Sequence, residues 1–265
     1  MSNQPKIEPA AENRSRESAG AFPFEGFILA SGNFFFRFRN ALFPVVVLTV
    51  ILFTRPALFL GSPTLDRVVA ALGLAVALGG QCFRLLVIGF VYIKRGGKDG
   101  HIYAKNLVTE GFYAHTRNPM YVGNFMIALG MSMIYGAFEM YALVVPFFFF
   151  AYLSIVVAEE RYLRERFGNE YDEYARSVNR FIPDLRGIRK SLASYRFDWK
   201  RALRKDYGTL YWTLAGICAV HLWKAYHVYG IDERRTYIFI LATLIGFFSL
   251  SYLVVRHLKM TKRLR

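Results

Sequence analysis

Long apolar segments recur along this chain, and they constrain its fold more than any other feature. Each is close to the roughly 20 residues that an α-helix needs to cross the hydrocarbon core of a bilayer. Because a chain in lipid must satisfy its backbone hydrogen bonds internally, such segments are expected to be helical. The sequence therefore predicts an all-α polytopic integral membrane helix bundle with about six transmembrane helices. They lie at approximately 39–60, 67–93, 121–137, 140–158, 208–229 and 235–256.

The chain is strongly basic, with a formal net charge of +15, although 54% of its residues are hydrophobic. An excess of Lys and Arg can indicate nucleic-acid binding, but in a membrane protein it also marks the cytoplasmic loops. With six spans, the basic segments 94–118 and 159–207 and the basic tail fall on one side. We therefore expect a multi-pass protein with both termini in the cytoplasm, and no nucleic-acid partner.

Three parts of the chain are distinguished by composition. Residues 1–33 are predicted to form a flexible or interfacial N-terminal segment, 34–207 a core with a cytoplasmic cap, and 208–265 two additional spans with a basic tail. In the cap, apolar residues recur every three or four positions, which predicts one amphipathic helical segment. That helix either lies on the membrane or covers a site, and the spacing alone leaves both open. The stripe consists of Leu163, Phe167, Tyr171, Tyr174, Val178 and Phe181.

Two polar segments flank an apolar hairpin. The first contains Arg117, Asn118 and Tyr121, and the second begins with Glu159 and Glu160. Between them lie two predicted spans joined by a tight turn. A helix rises about 1.5 Å per residue, so roughly 17 to 18 residues cross most of a 30 Å core and the chain returns to its starting face. We therefore expect the two segments to meet at one face of the membrane.

Two interpretations of this meeting point remain open from the residues alone. In the first, Arg117 forms a structural ion pair with Glu159 or Glu160, as is common at membrane edges. In the second, one carboxylate faces Arg117 and its neighbour binds a ligand that carries an ammonium or sulfonium group.

The same residues resemble the membrane-embedded methyltransferases, which include isoprenylcysteine carboxyl methyltransferases and phospholipid N-methyltransferases. The resemblance covers roughly residues 70–185. The carboxyl methyltransferase pattern is matched by Leu107-Val108-Thr109-x-Gly111-x-Tyr113 and by Arg117-Asn118-Pro119-x-Tyr121-x-Gly123. The phospholipid methyltransferase pattern is matched by Asn118-Pro119-Met120-Tyr121-Val122-Gly123 together with Glu159-Glu160.

The resemblance implies S-adenosyl-L-methionine as the cofactor and a lipid or prenyl-like substrate. By position, the residues implied to line the cofactor are Lys105, Asn106, Leu107, Val108, Tyr113, Asn118, Pro119 and Tyr121. Lys105 and Asn118 stand where the carboxyl methyltransferases have histidine. No arginine precedes the glutamates by four residues, where Ile155 and Val156 stand. A simple carboxylate acceptor is therefore less expected.

Individual roles follow from charge. Glu159, Glu160 and Arg117 are the catalytic candidates, with Glu160 first as proton acceptor. Glu159 and Arg84 are the candidates for binding substrate. An arginine within a span is costly and faces a cavity or bonds another helix, so Arg84 has both interpretations. Lys224 is expected to extend its amine to the membrane surface. No metal site is predicted.

Two rival functions remain. Integral-membrane sterol reductases have a similar Arg-His-Pro-x-Tyr-x-Gly element but use NADPH, whose phosphates adjacent carboxylates such as Glu159 and Glu160 would repel. The other rival is a non-catalytic membrane protein that retains the hairpin.

Overall fold

The structure, a computed structural model, describes residues 23–91, 95–98, 101–230, 232–261 and 263. The predicted N-terminal tail before residue 23 and part of the loop after residue 91 lie outside these residues. The described chain is an all-α bundle with one short two-stranded hairpin, β1 (Arg95–Lys98) and β2 (His101–Ala104). Its helices are α1 (Pro23–Phe53), α2 (Pro63–Phe90), α3 (Pro119–Tyr135), α4 (Val145–Phe167), α5 (Asn169–Ser177), α6 (Ile188–Ala193), α7 (Trp199–Lys224) and α8 (Arg235–Met260).

Six of these helices are long, and each overlaps one of the six predicted spans. Four helical stretches are long and apolar enough to cross a membrane: Glu25–Phe53, Pro63–Phe90, Met140–Phe167 and Arg235–Met260. Helix α3 is shorter, with 17 residues, and α7 begins with a charged turn. The fold class is confirmed: the protein is an integral membrane protein built as an all-α bundle.

The first predicted span was misplaced. Helix α1 runs from Pro23 to Phe53, so the span predicted at 39–60 begins too late and ends beyond the helix. The aromatic and basic residues at 34–39 lie inside the helix, and Pro44 does not end it. Helices α1 and α7 also run through the predicted part boundaries at 33–34 and 207–208. The division into three parts itself stays a prediction.

The cap is not one continuous amphipathic helix. Gly168 has φ +54°, a backbone conformation that favours glycine, and it separates α4 from α5. Helix α5 ends at Ser177, so Val178 and Phe181 lie beyond it in non-helical chain. The stripe residues Leu163, Tyr171 and Tyr174 nevertheless share one buried cluster with Ala104 of β2. The cap therefore packs under the bundle through two helices.

The helices pack in the spatial order α1, α4, α3, α2, α7 and α8. Helices α2 and α3 approach most closely, because glycines face each other across their contact. A Cβ atom at Gly73 would lie 2.7 Å from the Gly130 carbonyl oxygen, and one at Gly80 would lie 2.6 Å from that of Gly123. Small residues at such contacts allow membrane helices to pack backbone against backbone. This pair holds the first polar segment in place.

Candidate functional site

The hairpin of α3 and α4 brings the two polar segments together, as predicted. Pro119 begins α3, where its missing N–H costs no hydrogen bond. Gly136, with φ +82°, ends the same helix. A π-helical turn at Met140–Val144 then starts the return through α4. Glu159 and Glu160 lie in the last third of α4, beside the start of α3.

Glu160 lies at the centre of the meeting point and is only 4% exposed. Its Oε1 accepts a hydrogen bond from Asn118 Nδ2 at 3.1 Å and lies 3.5 Å from Nε of Arg117. Its Oε2 accepts a hydrogen bond from Nε of Arg180 at 3.0 Å. Two guanidinium groups therefore neutralise this carboxylate, so the ion pair between Arg117 and a glutamate forms with Glu160.

Glu159 points to a different partner. Its Oε1 accepts a 2.7 Å hydrogen bond from the hydroxyl of Tyr121, and the residue is 5% exposed. The ring of Tyr121 packs against that of Tyr152 on α4, with centroids 5.6 Å apart. The two adjacent carboxylates thus face different surroundings, one among arginines and one beside an aromatic cluster. These two glutamates and the residues around them form the carboxylate cluster, which consists of Arg117, Asn118, Tyr121, Glu159, Glu160 and Arg180.

Arg180 is the member of the carboxylate cluster to which the sequence assigned no role. It reaches Glu160 because residues 179–184 run alongside 115–118. The backbone N–H of Arg117 donates to the Asn179 carbonyl at 2.9 Å, and Asn118 Nδ2 donates to the Arg180 carbonyl at 3.2 Å. The Arg-Phe-Ile-Pro motif at 180–183 was visible in the sequence, but nothing in it indicated this pairing.

The residues predicted to line the cofactor divide into two groups. Asn118, Pro119, Tyr121 and Tyr113 lie at the start of α3 or just before it, and Tyr113 is 6% exposed. The Tyr174 hydroxyl donates to the Tyr113 carbonyl at 2.8 Å, which ties the cap to this loop. Leu107 and Val108 are half-buried, whereas Lys105 and Asn106 are exposed. Binding by any of these residues stays a prediction.

A polar cavity of about 290 Å³ opens beside the same loop, lined partly by His115, Asn179, Asp184 and Arg186. His115 is buried, at 6% exposure, and its Nε2 lies 2.9 Å from the Ser191 hydroxyl. Side-chain and backbone hydrogen bonds from Arg186 lower the pKa of Asp184 to about 2, so this carboxyl is anionic at neutral pH.

Arg84, a predicted substrate residue, bonds other helices. Its guanidinium forms an ion pair with Asp206 of α7, and its Nε donates to Asp206 Oδ2 at 3.3 Å. It also contacts Asn124 of α3. Gln81 donates to the same carboxylate at 2.8 Å. The helix–helix interpretation of Arg84 is therefore observed directly, and its role in substrate binding stays a prediction.

Lys224 does not extend to the membrane surface. Its amine forms a 2.6 Å ion pair with Asp66 of α2 and donates to the Ile134 carbonyl at 2.9 Å. Lys224 is 3% exposed, so the expectation that it extends outward is wrong. The partner carboxylate, far away in sequence, satisfies the amine inside the bundle. Two buried ion pairs thus join α2 to α7, and these interhelical pairs are Arg84–Asp206 and Asp66–Lys224.

The carboxylate cluster has the chemistry that S-adenosylmethionine requires. That molecule carries an ammonium, a sulfonium and a carboxylate. The cluster offers two buried carboxylates, the ring of Tyr121, which can favour a nearby cation, and arginines at its edge. Among the described residues, no group of three or more His, Cys, Asp or Glu is placed to hold a metal ion.

Part of this integral membrane bundle is similar to known proteins. Residues 67–170 match the family model of phospholipid methyltransferases. The chain is also 35% identical, over 116 residues, to the protein-S-isoprenylcysteine O-methyltransferase of Schizosaccharomyces pombe. The aligned stretch covers 40% of this chain and 48% of that protein. The predicted resemblance to the superfamily that contains both groups of methyltransferases is thereby confirmed.

Two further relatives match a shorter stretch of 79 residues, which is 30% of this chain. They are the nickel-cobalt-cadmium resistance protein NccN of Alcaligenes xylosoxydans xylosoxydans, 33% identical over 37% of its length, and the cobalt-zinc-cadmium resistance protein CzcN of Cupriavidus metallidurans, 34% identical over 36% of its length. The chain thus spans half or less of these curated relatives. No solved structure matches the chain significantly.

Proposed function

We propose that this protein is an S-adenosylmethionine-dependent methyltransferase that acts on a membrane-soluble, lipid or prenyl-like substrate. The observation that carries the proposal is the pair of buried carboxylates, Glu159 and Glu160, held against Asn118 and Tyr121 at the end of the hairpin. The match of residues 67–170 to phospholipid methyltransferases supports it.

Glu159 is the carboxylate that we assign to the ammonium of the cofactor. Glu160 joins Arg117 to Arg180, so its charge serves to hold the loop and the cap together. The arginines at the edge of the cluster suit the cofactor's carboxylate. The rings of Tyr113 and Tyr121 suit a sulfonium, an interaction worth about 0.5–2 kcal/mol.

When bound, the cofactor supplies a methyl group activated on sulfur, and transfer needs no covalent nucleophile from the protein. The protein has to align the acceptor, exclude water and accept a proton where the acceptor loses one. Both carboxylate oxygens of Glu160 are engaged, Oε1 by Asn118 and Arg117 and Oε2 by Arg180. We therefore revise the proton acceptor from Glu160 to Glu159 or water.

We further propose six membrane passes, with the carboxylate cluster and both termini on the cytoplasmic side. The basic segments near the cluster support this orientation through the positive-inside tendency. In this arrangement the cofactor enters from the cytoplasm, and a lipid substrate enters sideways between helices.

Labelled-methyl transfer tests the activity. Purified protein is incubated with S-adenosylmethionine that carries a labelled methyl group and with a native lipid extract, and the product is identified. We expect label in an extractable lipid with the native chain, and none with Glu159→Gln. No labelled product from any lipid fraction would contradict the proposal.

A further inference from the structure

Arg39 is an arginine within the apolar helix α1 whose charge the described protein does not neutralise. Its Nη1 atom is enclosed, yet it has no hydrogen-bond partner among the described residues. Its printed neighbour is the ring of Phe36, 4.1 Å from the guanidinium carbon. An arginine inside a membrane segment is costly and typically faces a partner or a cavity. The unmatched donor therefore requires explanation.

The helical period places Arg39 on the face of α1 that packs against α4. Phe36 lies three residues before it and Phe43 four residues after it, so the three side chains share one face. Phe36 is 4% exposed, and the ring of Phe43 packs against Tyr152 of α4 with centroids 5.5 Å apart. Gly32 allows this close contact, since a Cβ there would lie 2.1 Å from the Ser154 carbonyl oxygen.

This face adjoins the carboxylate cluster. Tyr152, beside Arg39, packs against Tyr121, which in turn donates to Glu159. Arg39 and Arg84 are both arginines within candidate membrane spans. The two arginines differ in one respect: Arg84 forms an ion pair with Asp206, whereas no carboxylate of the described chain forms one with Arg39. At the α1–α4 contact, next to the proposed site of methyl transfer, the guanidinium of Arg39 thus has no carboxylate partner among the described residues.

We infer that Arg39 binds the anionic headgroup of the lipid-like acceptor, at the contact between α1 and α4. A guanidinium presents paired N–H donors that match a phosphate or a carboxylate. The residue is half-buried, with Nη1 enclosed, so the side chain is in part accessible to a ligand. A substrate that enters from the bilayer would meet this charge before it reaches Tyr121 and Glu159. The inference deepens the proposed function and rests on it for the identity of the ligand as acceptor.

The chain contains a matched control. Arg37 lies two positions away on the exposed side of α1, over the ring of Phe38 at 5.5 Å. Arg37→Gln and Arg39→Gln remove the same charge from the same helix, but only Arg39 faces α4.

Binding of radiolabelled dodecyl phosphate, dodecanoate and uncharged dodecanol is measured for the full chain in a neutral maltoside detergent. We expect the native chain to bind an anionic probe at least about ten-fold more tightly than dodecanol, in line with a hydrogen bond to a charged group. The tighter of the two anions identifies the headgroup class. Arg39→Gln should lose this preference, and Arg37→Gln should keep it within about two-fold.

Two results would overturn the inference. One is a native chain that binds all three probes equally, a result that does not depend on how any variant folds. The other is a preference that persists in Arg39→Gln or disappears equally in Arg37→Gln. Calorimetric titration of the same samples with S-adenosylmethionine separates the two proposals: absence of cofactor binding by the native chain contradicts the proposed function, while the anion measurement is still interpretable.

Discussion

The carboxylate cluster and the interhelical pairs are both sets of buried charges, but they are built differently. Each interhelical pair contains one acid and one base with little exposure: 9% and 2% for the side chains of Arg84 and Asp206, 4% and 3% for those of Lys224 and Asp66. The carboxylate cluster has two adjacent acids, and one of its bases, Arg180, is 43% exposed.

This difference distinguishes buried charges that join helices from buried charges that we propose bind a ligand. The interhelical pairs join α7 to α2, and each is balanced inside the bundle. The carboxylate cluster lies where a loop, a helix end and the cap meet, and a base that reaches solvent closes it. Burial of charge alone therefore does not mark a binding site in this bundle; we propose that the adjacent carboxylates of α4, beside the start of α3, form one. The following substitutions test that distinction.

The largest effect is expected from Asp206→Asn. The substitution leaves Arg84 inside the bundle without a counter-charge, and Gln81 loses an acceptor. We expect the free energy of unfolding to fall by about 3–5 kcal/mol, measured by denaturation in detergent. Glu165→Gln is the control, because its pair with Arg161 is exposed and should change stability by less than about 1 kcal/mol. Similar losses for both variants would remove the distinction.

Lys224→Met should also destabilise the bundle, because it removes the ammonium group that pairs with the buried carboxylate of Asp66. We expect a loss of about 3 kcal/mol or more for the single variant, and recovery of most of it in Lys224→Met with Asp66→Leu. Thermal denaturation of the four proteins of the double-mutant cycle measures the coupling. Additive losses would show that the two residues do not act as a pair.

Glu159→Gln should affect ligand binding more than stability. Its Oε1 accepts a hydrogen bond from the neutral Tyr121 hydroxyl, and the amide can still accept that bond. We expect affinity for S-adenosylmethionine to fall about ten-fold or more, because a charged hydrogen bond is worth about 1.5–3 kcal/mol. Calorimetry and a denaturation curve on the same sample separate the two effects. Unchanged affinity would argue that the ligand's ammonium binds elsewhere.

Arg180→Gln should have the smallest effect. Arg180 is partly exposed, and Arg117 and Asn118 still contact Glu160 when it is replaced. We expect cofactor affinity to fall only a few-fold, consistent with a pair worth at most about 1 kcal/mol. A loss as large as that of Glu159→Gln would show instead that Arg180 is a main contact of the cofactor's carboxylate and not a minor one.

The hairpin was predicted correctly because the prediction depends only on the stretch of chain between Arg117 and Glu160. Two apolar helices of similar length must return the chain to its starting face, so Asn118 and Tyr121 meet the glutamates whatever the rest of the bundle does. The glycines at the α2–α3 contact and Pro119 at the helix start are equally local signals.

The missed features depend on distant partners. Asp206 lies 122 positions from Arg84, and Asp66 lies 158 positions from Lys224. No periodic pattern in the sequence predicts a contact between residues so far apart. Arg180 reaches Glu160 only because non-helical chain pairs with the loop before α3. The break at Gly168 was hidden by an apolar spacing that two consecutive helices also satisfy.

The central claim is that the carboxylate cluster binds S-adenosylmethionine, and calorimetric titration of the native chain tests it most directly. Parallel titrations use NADPH as the rival ligand and Glu165→Gln as a surface control. We predict binding of S-adenosylmethionine by the native chain and by Glu165→Gln, strongly weakened binding by Glu159→Gln, and no tight binding of NADPH. Tight NADPH binding with no response to S-adenosylmethionine would contradict the account.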